Sequence, residues 1–203
     1  MLRVVTPPEP IVAPEDILGA TAGDETVAGL IGAVTEEIDG PSGWLGRSLG
    51  PQTIEWTDWI GCRRTVLPCR PIIKIDSVTT VDRDGSETVV DPATYRLDGN
   101  CIVVAEGAAW VCCEKHRIRY KAGYNGTSGA AAGEVQTGDI PERARQAIIL
   151  SVQHLRSLQV ESLYLKVDEV DGVGRKEFTL SDQASNIVER TYERLLSTLR
   201  VYS

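Results

Sequence analysis

The sequence predicts an α+β fold: a small helical bundle with an inserted antiparallel β-domain and a further helix at the C-terminus. Three observations carry this. Apolar residues recur at helical spacing in residues 24–39 and 139–160, the stretch between them, residues 51–121, shifts to a period of two, and a mixed segment, 161–181, precedes a last helical pattern over 182–203. With 203 residues, 42% of them hydrophobic and 25% charged, the chain has the composition of an ordinary globular protein and is long enough to bury a core.

Residues 1–50 read as the N-terminal helical part of the bundle. The opening MLRVVTPPEP is broken by prolines where a secretory signal needs an apolar run. Pro14 suits the first turn of a short helix to about Ala20, because the donor it lacks would be unsatisfied there anyway. Asp24 then caps a longer helix whose Val27, Leu30, Ile31, Val34 and Ile38 form one buried stripe. Gly40 and Pro41 end it, since glycine accepts a left-handed stop and proline cannot continue the ladder. Residues 42–50 hold three more glycines around Trp44 and Leu45, a compact turn with an aromatic anchor.

In residues 51–121, five runs rich in β-branched and aromatic residues read as strands: 53–60, 72–81, 87–90, 101–105 and 117–120. Proline, glycine and aspartate turns separate them. Asp82, Arg83, Asp84 and Gly85 resemble the start of a calcium loop, but the later ligands and the closing Glu are missing, so a tight Asp-Gly hairpin turn is expected instead. Residues 122–138 are rich in glycine and alanine and almost uncharged, which predicts a mobile loop or hinge. They are no phosphate loop, because no Lys-Ser or Lys-Thr follows.

Asp139 and Pro141 start the bundle helix of 139–160, with Ala144, Ala147, Ile148, Val152, Leu155 and Leu158 as its buried stripe, expected to pack on the helix of 24–39. Residues 161–181 are too scattered in their apolar positions for a helix and read as a loose hairpin or flexible arm. In 182–203, Ala184, Val188, Thr191, Leu195 and Leu199 form one helix face, Ile187, Tyr192 and Leu196 broaden it, and Arg190 and Arg194 lie opposite with Glu189 and Glu193. Apolar residues around so much of the circumference, beyond a tether, suit a docking helix for another protein; packing on its own domain is the plainer alternative.

Five cysteines, Cys62, Cys69, Cys101, Cys112 and Cys113, are an odd number with two adjacent, which fits neither a disulfide framework nor paired zinc ligands. They are expected to be reduced and mostly buried. His116 follows Cys112 and Cys113 closely, but strand spacing rarely aims such groups at each other, and His154 has no second ligand at helical spacing. No cofactor or metal is therefore expected. No apolar run approaches the roughly 20 residues that span a bilayer, so no membrane contact is expected and the chain should be soluble and intracellular when made. Asn125-Gly126-Thr127 matches a glycosylation acceptor, which has no use without secretion. The net charge is −8, and residues 1–60 carry all of it, with ten acids against Arg3 and Arg47. So acidic a segment repels phosphate and excludes tight nucleic-acid binding through that part.

Five phrases in fixed order, TPPEPIV (6–12), GPSGWLGRSLG (40–50), LPCRPIIKIDSV (67–78), RYKAGY (119–124) and IPERARQAIIL (140–150), cover roughly residues 4–158. Together they resemble the head-tail connector, or adaptor, proteins of long-tailed bacteriophages and of phage-derived gene transfer agents. The resemblance implies a structural protein, not an enzyme. It implies a closed ring of copies, typically twelvefold, beneath the portal of a DNA-filled capsid, continuing the DNA channel and offering a surface to a stopper or tail-completion protein. In relatives the C-terminal segment contacts the portal, which implies a portal-docking role for Ile187, Val188, Arg190, Tyr192, Arg194, Leu195, Leu196 and Leu199. Passing double-stranded DNA would be met without sequence-specific binding, and Glu36 and Glu37 are the acids expected to face it. The implied location is the host cytoplasm during assembly, then the head-tail junction of the particle.

Two other classes compete. A small cysteine-dependent hydrolase needs a nucleophile, a base and an orienting group within reach, and two histidines on separate elements supply no such set. A non-viral module recognising a protein or glycan through the β-domain is the other alternative.

Overall fold

The chain is α+β. The computed structural model describes residues 1–61, 63–108, 114–160, 167–170, 174–177 and 182–201. It divides into two compact units, the first built from Met1–Glu9, Glu36–Ile140 and Arg200–Ser203, the second from Pro10–Thr35 and Pro141–Leu199.

The first unit is organised around strand β8, Lys115–Ala122. It is the centre of a five-stranded antiparallel sheet ordered β1-β2-β8-β4-β5, with β1 at Leu2–Thr6, β2 at Gln52–Trp59, β4 at Ile72–Val81 and β5 at Glu87–Val89. Pairing of β2 with β8 is unbroken from Gln52↔Ala122 to Trp59↔Lys115. On the other side, β4 pairs with β8 through shifts between Ile72 and Lys74 and between Ile75 and Ser77. Each shift places an extra residue in β4, so Ile72 and Ile73 are both buried where strict alternation would expose one. A smaller sheet, ordered β3-β7-β6, joins Arg64–Val66, Cys101–Val104 and Tyr95–Asp98. Residues of both sheets meet in one core, with Ile54, Ile72, Val78, Ile118 and Tyr120 from the large sheet and Ile102 from the small one, beside Leu67 and Cys69. Tyr120, fully buried, donates its hydroxyl proton to the Pro68 carbonyl at 2.9 Å, which satisfies the polar tip of an otherwise apolar side chain.

Four of the five expected strands match observed ones closely, and the fifth, expected at 117–120, extends to Lys115–Ala122. Three strands were not anticipated. Leu2–Thr6, expected in a helical region, is an edge strand paired with β2, while Arg64–Val66 is only three residues long and Tyr95–Asp98, although it alternates apolar and polar residues, does so over four positions only. The Asp-Gly turn joins β4 to β5 as expected. Ser86 uses both turn carboxylates, its amide donating to Asp84 at 2.9 Å and its hydroxyl to Asp82 at 3.0 Å.

Residues 123–138 form no helix or strand, as expected of a loop, and that loop is fastened at its base. Asn125 and Thr137 exchange backbone and side-chain hydrogen bonds of 2.9–3.0 Å, Gly126 bridges Gly138, and the Val135 amide donates to the Ile73 carbonyl. The base of the loop is thereby tied to the sheet. Asn125 also spends its side-chain amide on the Val135 carbonyl, so the would-be glycan acceptor is engaged in the fold.

In the second unit a single 3-10 turn, Pro14–Asp16, stands where a helix to about Ala20 was expected. Helix α1, Glu25–Ile38, whose last three residues are counted with the first unit, starts as predicted: Asp24 accepts from the Val27 amide at 3.1 Å, and Val27, Ile31, Val34 and Ile38 are buried. Helix α2, Glu142–Val160, buries Ala144, Ala147, Ile148 and Val152, and packs chiefly against helix α3, Asp182–Leu196, whereas α1 was the expected partner. A 3-10 turn, Ser197–Leu199, extends α3. Between α2 and α3, Val167–Val170 (β9) and Gly174–Glu177 (β10) form an antiparallel hairpin, one of the two forms expected for this segment.

Gly123 follows β8 with φ of +123°, and a methyl group there would lie 2.2 Å from the Gly50 carbonyl oxygen. Gly129 also has positive φ but meets nothing within 4 Å. Gly123→Ala should therefore cost well over the roughly 1–3 kcal/mol of backbone strain alone, whereas Gly129→Ala should cost no more than that strain. Urea unfolding of the two variants checks the difference.

Candidate functional site

Strand β8 reads Lys115-His116-Arg117-Ile118-Arg119-Tyr120-Lys121-Ala122, and the pleat sorts it. His116, Ile118, Tyr120 and Ala122 are buried on the core side. Lys115, Arg117, Arg119 and Lys121 stand on the other face, joined by Arg3 of β1 and Lys74 of β4 at neighbouring register positions. The result is a basic sheet face.

Beneath these bases lie two sunken carboxylates. The side chain of Glu55 is 6% exposed and receives Arg3 at 2.7 Å and Arg119 at 2.9 Å, with Arg117 at 3.8 Å. Burial alone would raise its pKa; the hydrogen bonds from Arg119 and Arg3, with the charges of Arg3 and Arg117, overcome that and hold the carboxyl below its ordinary range. Glu134, 9% exposed, receives Lys121 at 3.1 Å and Lys74 at 3.5 Å, and the Lys121 hydrogen bond leads in lowering its pKa against a smaller opposing effect of burial. Arg117 reaches on to Glu87 of β5 at 2.6 Å. The bases above are far more open, Arg3 at 57% and Arg119 at 46%. Acids below and bases above leave the solvent-facing layer positive. At one end Lys115 sits 6.0 Å from the ring centroid of Trp59, which is itself exposed.

This face was missed in the sequence, although its signal, four bases at alternate positions, was present. Two of them, Lys115 and Lys121, fell outside the expected strand at 117–120. The balance of acids and bases beyond residue 60 also hid a local excess.

A second constellation closes the end of α1. The amides of Trp44 and Leu45 donate to the carbonyls of Glu37 and Ile38, and Gly40 takes the left-handed stop at φ +76°. Asp39 is buried, and its Oδ1 accepts from the Leu49 amide at 2.7 Å and the Gln52 side chain at 3.1 Å. Burial raises its pKa, with those hydrogen bonds opposing. Leu45 and Leu49 are fully buried, and the expected aromatic anchor, Trp44, is covered from the far end of the chain: Arg200 lies 4.6 Å over its ring and the Val201 amide donates to the Leu45 carbonyl.

The expected site residues are dispersed. Glu36 and Glu37 are exposed in the last turn of α1. On α3, Ile187, Arg190 and Arg194 are exposed and Val188, Tyr192 and Leu195 half-buried, but Leu196 and Leu199 are buried within the chain and offer no surface for docking. Burial and the nearby Asp39 charge push the Cys69 thiol up to about 12, so it stays protonated and inert at neutral pH. Burial also lowers the pKa of His116, leaving it neutral. Cys62, Cys112 and Cys113 lie outside the described residues. Among the described residues, no group of three or more His, Cys, Asp or Glu is placed to hold a metal, and no helix is long and apolar enough to cross a membrane.

No protein-family model matches the sequence, and no curated protein matches it. Solved structures do. The whole chain superposes on 96% of a chain from the virion of a native gene transfer agent particle, with a TM-score of 0.61 at 18% identity. Similar chains occur in the neck of an empty gene transfer agent particle computed with C6 symmetry (TM-score 0.60, 18% identity) and in the neck of a native one computed with C12 symmetry (0.58, 17%), each again matched over 100% of this chain and 96% of the other. At such identity the likeness is one of fold.

The depressed Glu55 and Glu134 pKa values fix a sign. Folding is favoured by both ionised carboxylates in full above their ordinary value of 4.5, and this contribution fades as pH falls through the lower folded values. Glu55→Gln should therefore cost about 1–3 kcal/mol at pH 7, the worth of hydrogen bonds to a charged group, and less below pH 4. Thermal melts of both proteins across pH 3–7 should converge at the acid end.

Proposed function

We propose that this chain is a structural head-tail connector, or adaptor, that forms a ring under the portal, extends the DNA channel and gives the stopper or tail-completion protein its attachment site. One observation carries most of the weight: the fold is shared end to end with chains of gene transfer agent necks, structures computed with sixfold and twelvefold symmetry. The ordered phrases of residues 4–158 point the same way. Twelve copies in a closed ring is the preferred assembly, built from heterologous contacts in which unlike faces of neighbouring copies meet and the rotation between them closes the circle. The role requires no catalysis, and a Cys69 thiol held protonated agrees with that.

In this reading α3 docks on the portal through Ile187, Arg190 and Arg194, flanked by Val188, Tyr192 and Leu195, while Leu196 and Leu199 hold the helix in place. Glu36 and Glu37 face the DNA channel. A ring multiplies their charge into a negative belt that repels phosphates within about one Debye length, roughly 8 Å at physiological salt.

Deleting the gene should yield DNA-filled heads without tails, and the purified protein should bind those heads and restore tail joining. Tailed, functional particles without the protein would refute the role. The double variant Glu36→Lys/Glu37→Lys should fold and join heads normally, because both side chains are exposed, yet slow DNA release in a salt-dependent manner. Release kinetics at two ionic strengths test this, and unchanged kinetics would remove the channel assignment alone.

A further inference from the structure

We infer that the basic face of β8 is one half of the contact between neighbouring copies in the ring, and that its counterpart is the acidic stretch around the start of α1 on the next copy. The inference rests on the ring proposed above and names the surfaces that build it.

On the β8 side the carboxylates that organise the face are sunken, Glu55 at 6% and Glu134 at 9% side-chain exposure, whereas Arg3 and Arg119 above them are about half open. Lys115 is exposed and forms no ion pair among the described residues. A neighbour therefore meets cationic donors whose inner hydrogen bonds are already made, so little ordering is left for the contact to supply. On the other side, residues 10–35 contain Glu15, Asp16, Asp24 and Glu25 and no base at all. Asp16 is held by Arg145 and Asp24 caps α1, but Glu15 and Glu25 are exposed and make no ion pair among the described residues. The two surfaces are unlike and complementary, as a head-to-tail ring requires. Charges of this kind set register and speed encounter more than they add raw affinity.

Duplex DNA is the other conceivable occupant of a basic face. A second copy is favoured because the complement is present on this same chain, and because a phosphate-binding face would hold DNA that must pass freely.

The test uses DNA-filled heads from the deletion strain, loaded with an equal mixture of unlabelled and nitrogen-15-labelled protein and treated with a carbodiimide, which joins lysine to carboxylate at contact distance. The inference predicts cross-linked peptides of mixed isotope composition that join Lys115 or Lys74 to Glu15 or Glu25. Lys115→Glu combined with Lys74→Gln, which leaves the arginines on Glu55 untouched, should lower the copies bound per head about tenfold, as should Glu15→Lys/Glu25→Lys. Mixing those two variants should recover much of the loss, because each then offers the other a matching face. Mixed-isotope links that avoid these residues would overturn this contact and leave the ring standing. The absence of any mixed-isotope link on heads that carry the protein would overturn both. Salt-sensitive binding of duplex DNA by the free protein, lost in Lys115→Glu/Lys74→Gln, would reassign the face to phosphate.

Discussion

Glu55 is the constraint on which the large sheet is organised. A carboxylate buried to this depth is tolerated only when its charge is met, and here Arg3 and Arg119 meet it from the strands on either side, with Arg117 adding its charge. The same interaction ties the N-terminal edge strand β1 to the sheet centre, and through Arg117 and Glu87 it reaches the opposite edge at β5. Backbone pairing sets the order of the strands. The buried carboxylate lets Arg117 and Arg119 stand side by side on β8 without mutual repulsion, as Glu134 does for Lys121.

Much of this was legible in the sequence because it depends on local chemistry. The Asp24 cap, the Val27–Ile31–Val34–Ile38 stripe, the Gly40 stop and the Asp84-Gly85 hairpin turn each follow from residues within a few positions of one another. What stayed hidden depends on partners far along the chain. Leu2–Thr6 carries the β-branched Val4, Val5 and Thr6 but no sustained alternation, and it is a strand because β2 offers it an edge. The loop of residues 122–138 looked slack by composition, yet the Asn125–Thr137 exchange is a tertiary feature that glycine content does not report. Likewise, the apolar breadth of α3 suggested a free docking surface, and Leu196 and Leu199 turned out to be spent on burial. Apolar periodicity tells how much of a helix is covered; it does not tell by what.

The turn after α1 shows how local and distant constraints combine. Glycine at positions 40 and 43 lets the chain fold back on the helix end, and Asp39 fastens the result from below by accepting from Leu49 and Gln52. Its raised pKa marks the cost of that burial, opposite in sign to the contribution of Glu55. Arg200 and Val201 then cover Trp44 and Leu45, and they belong to the same unit as the first residues of the chain.

The connector role proposed above calls for unlike faces more than for a pocket, and the chain offers two, a sheet with one apolar and one basic side in one unit and an acidic stretch in the other. The most direct measurement of this account is an asymmetric cryo-electron microscopy reconstruction of the portal vertex in purified particles. The account predicts a closed ring of this chain around the channel axis, in contact with the portal on one side and the next neck layer on the other. Particles in which the chain is absent from that vertex, or sits as isolated copies elsewhere on the capsid, would contradict it.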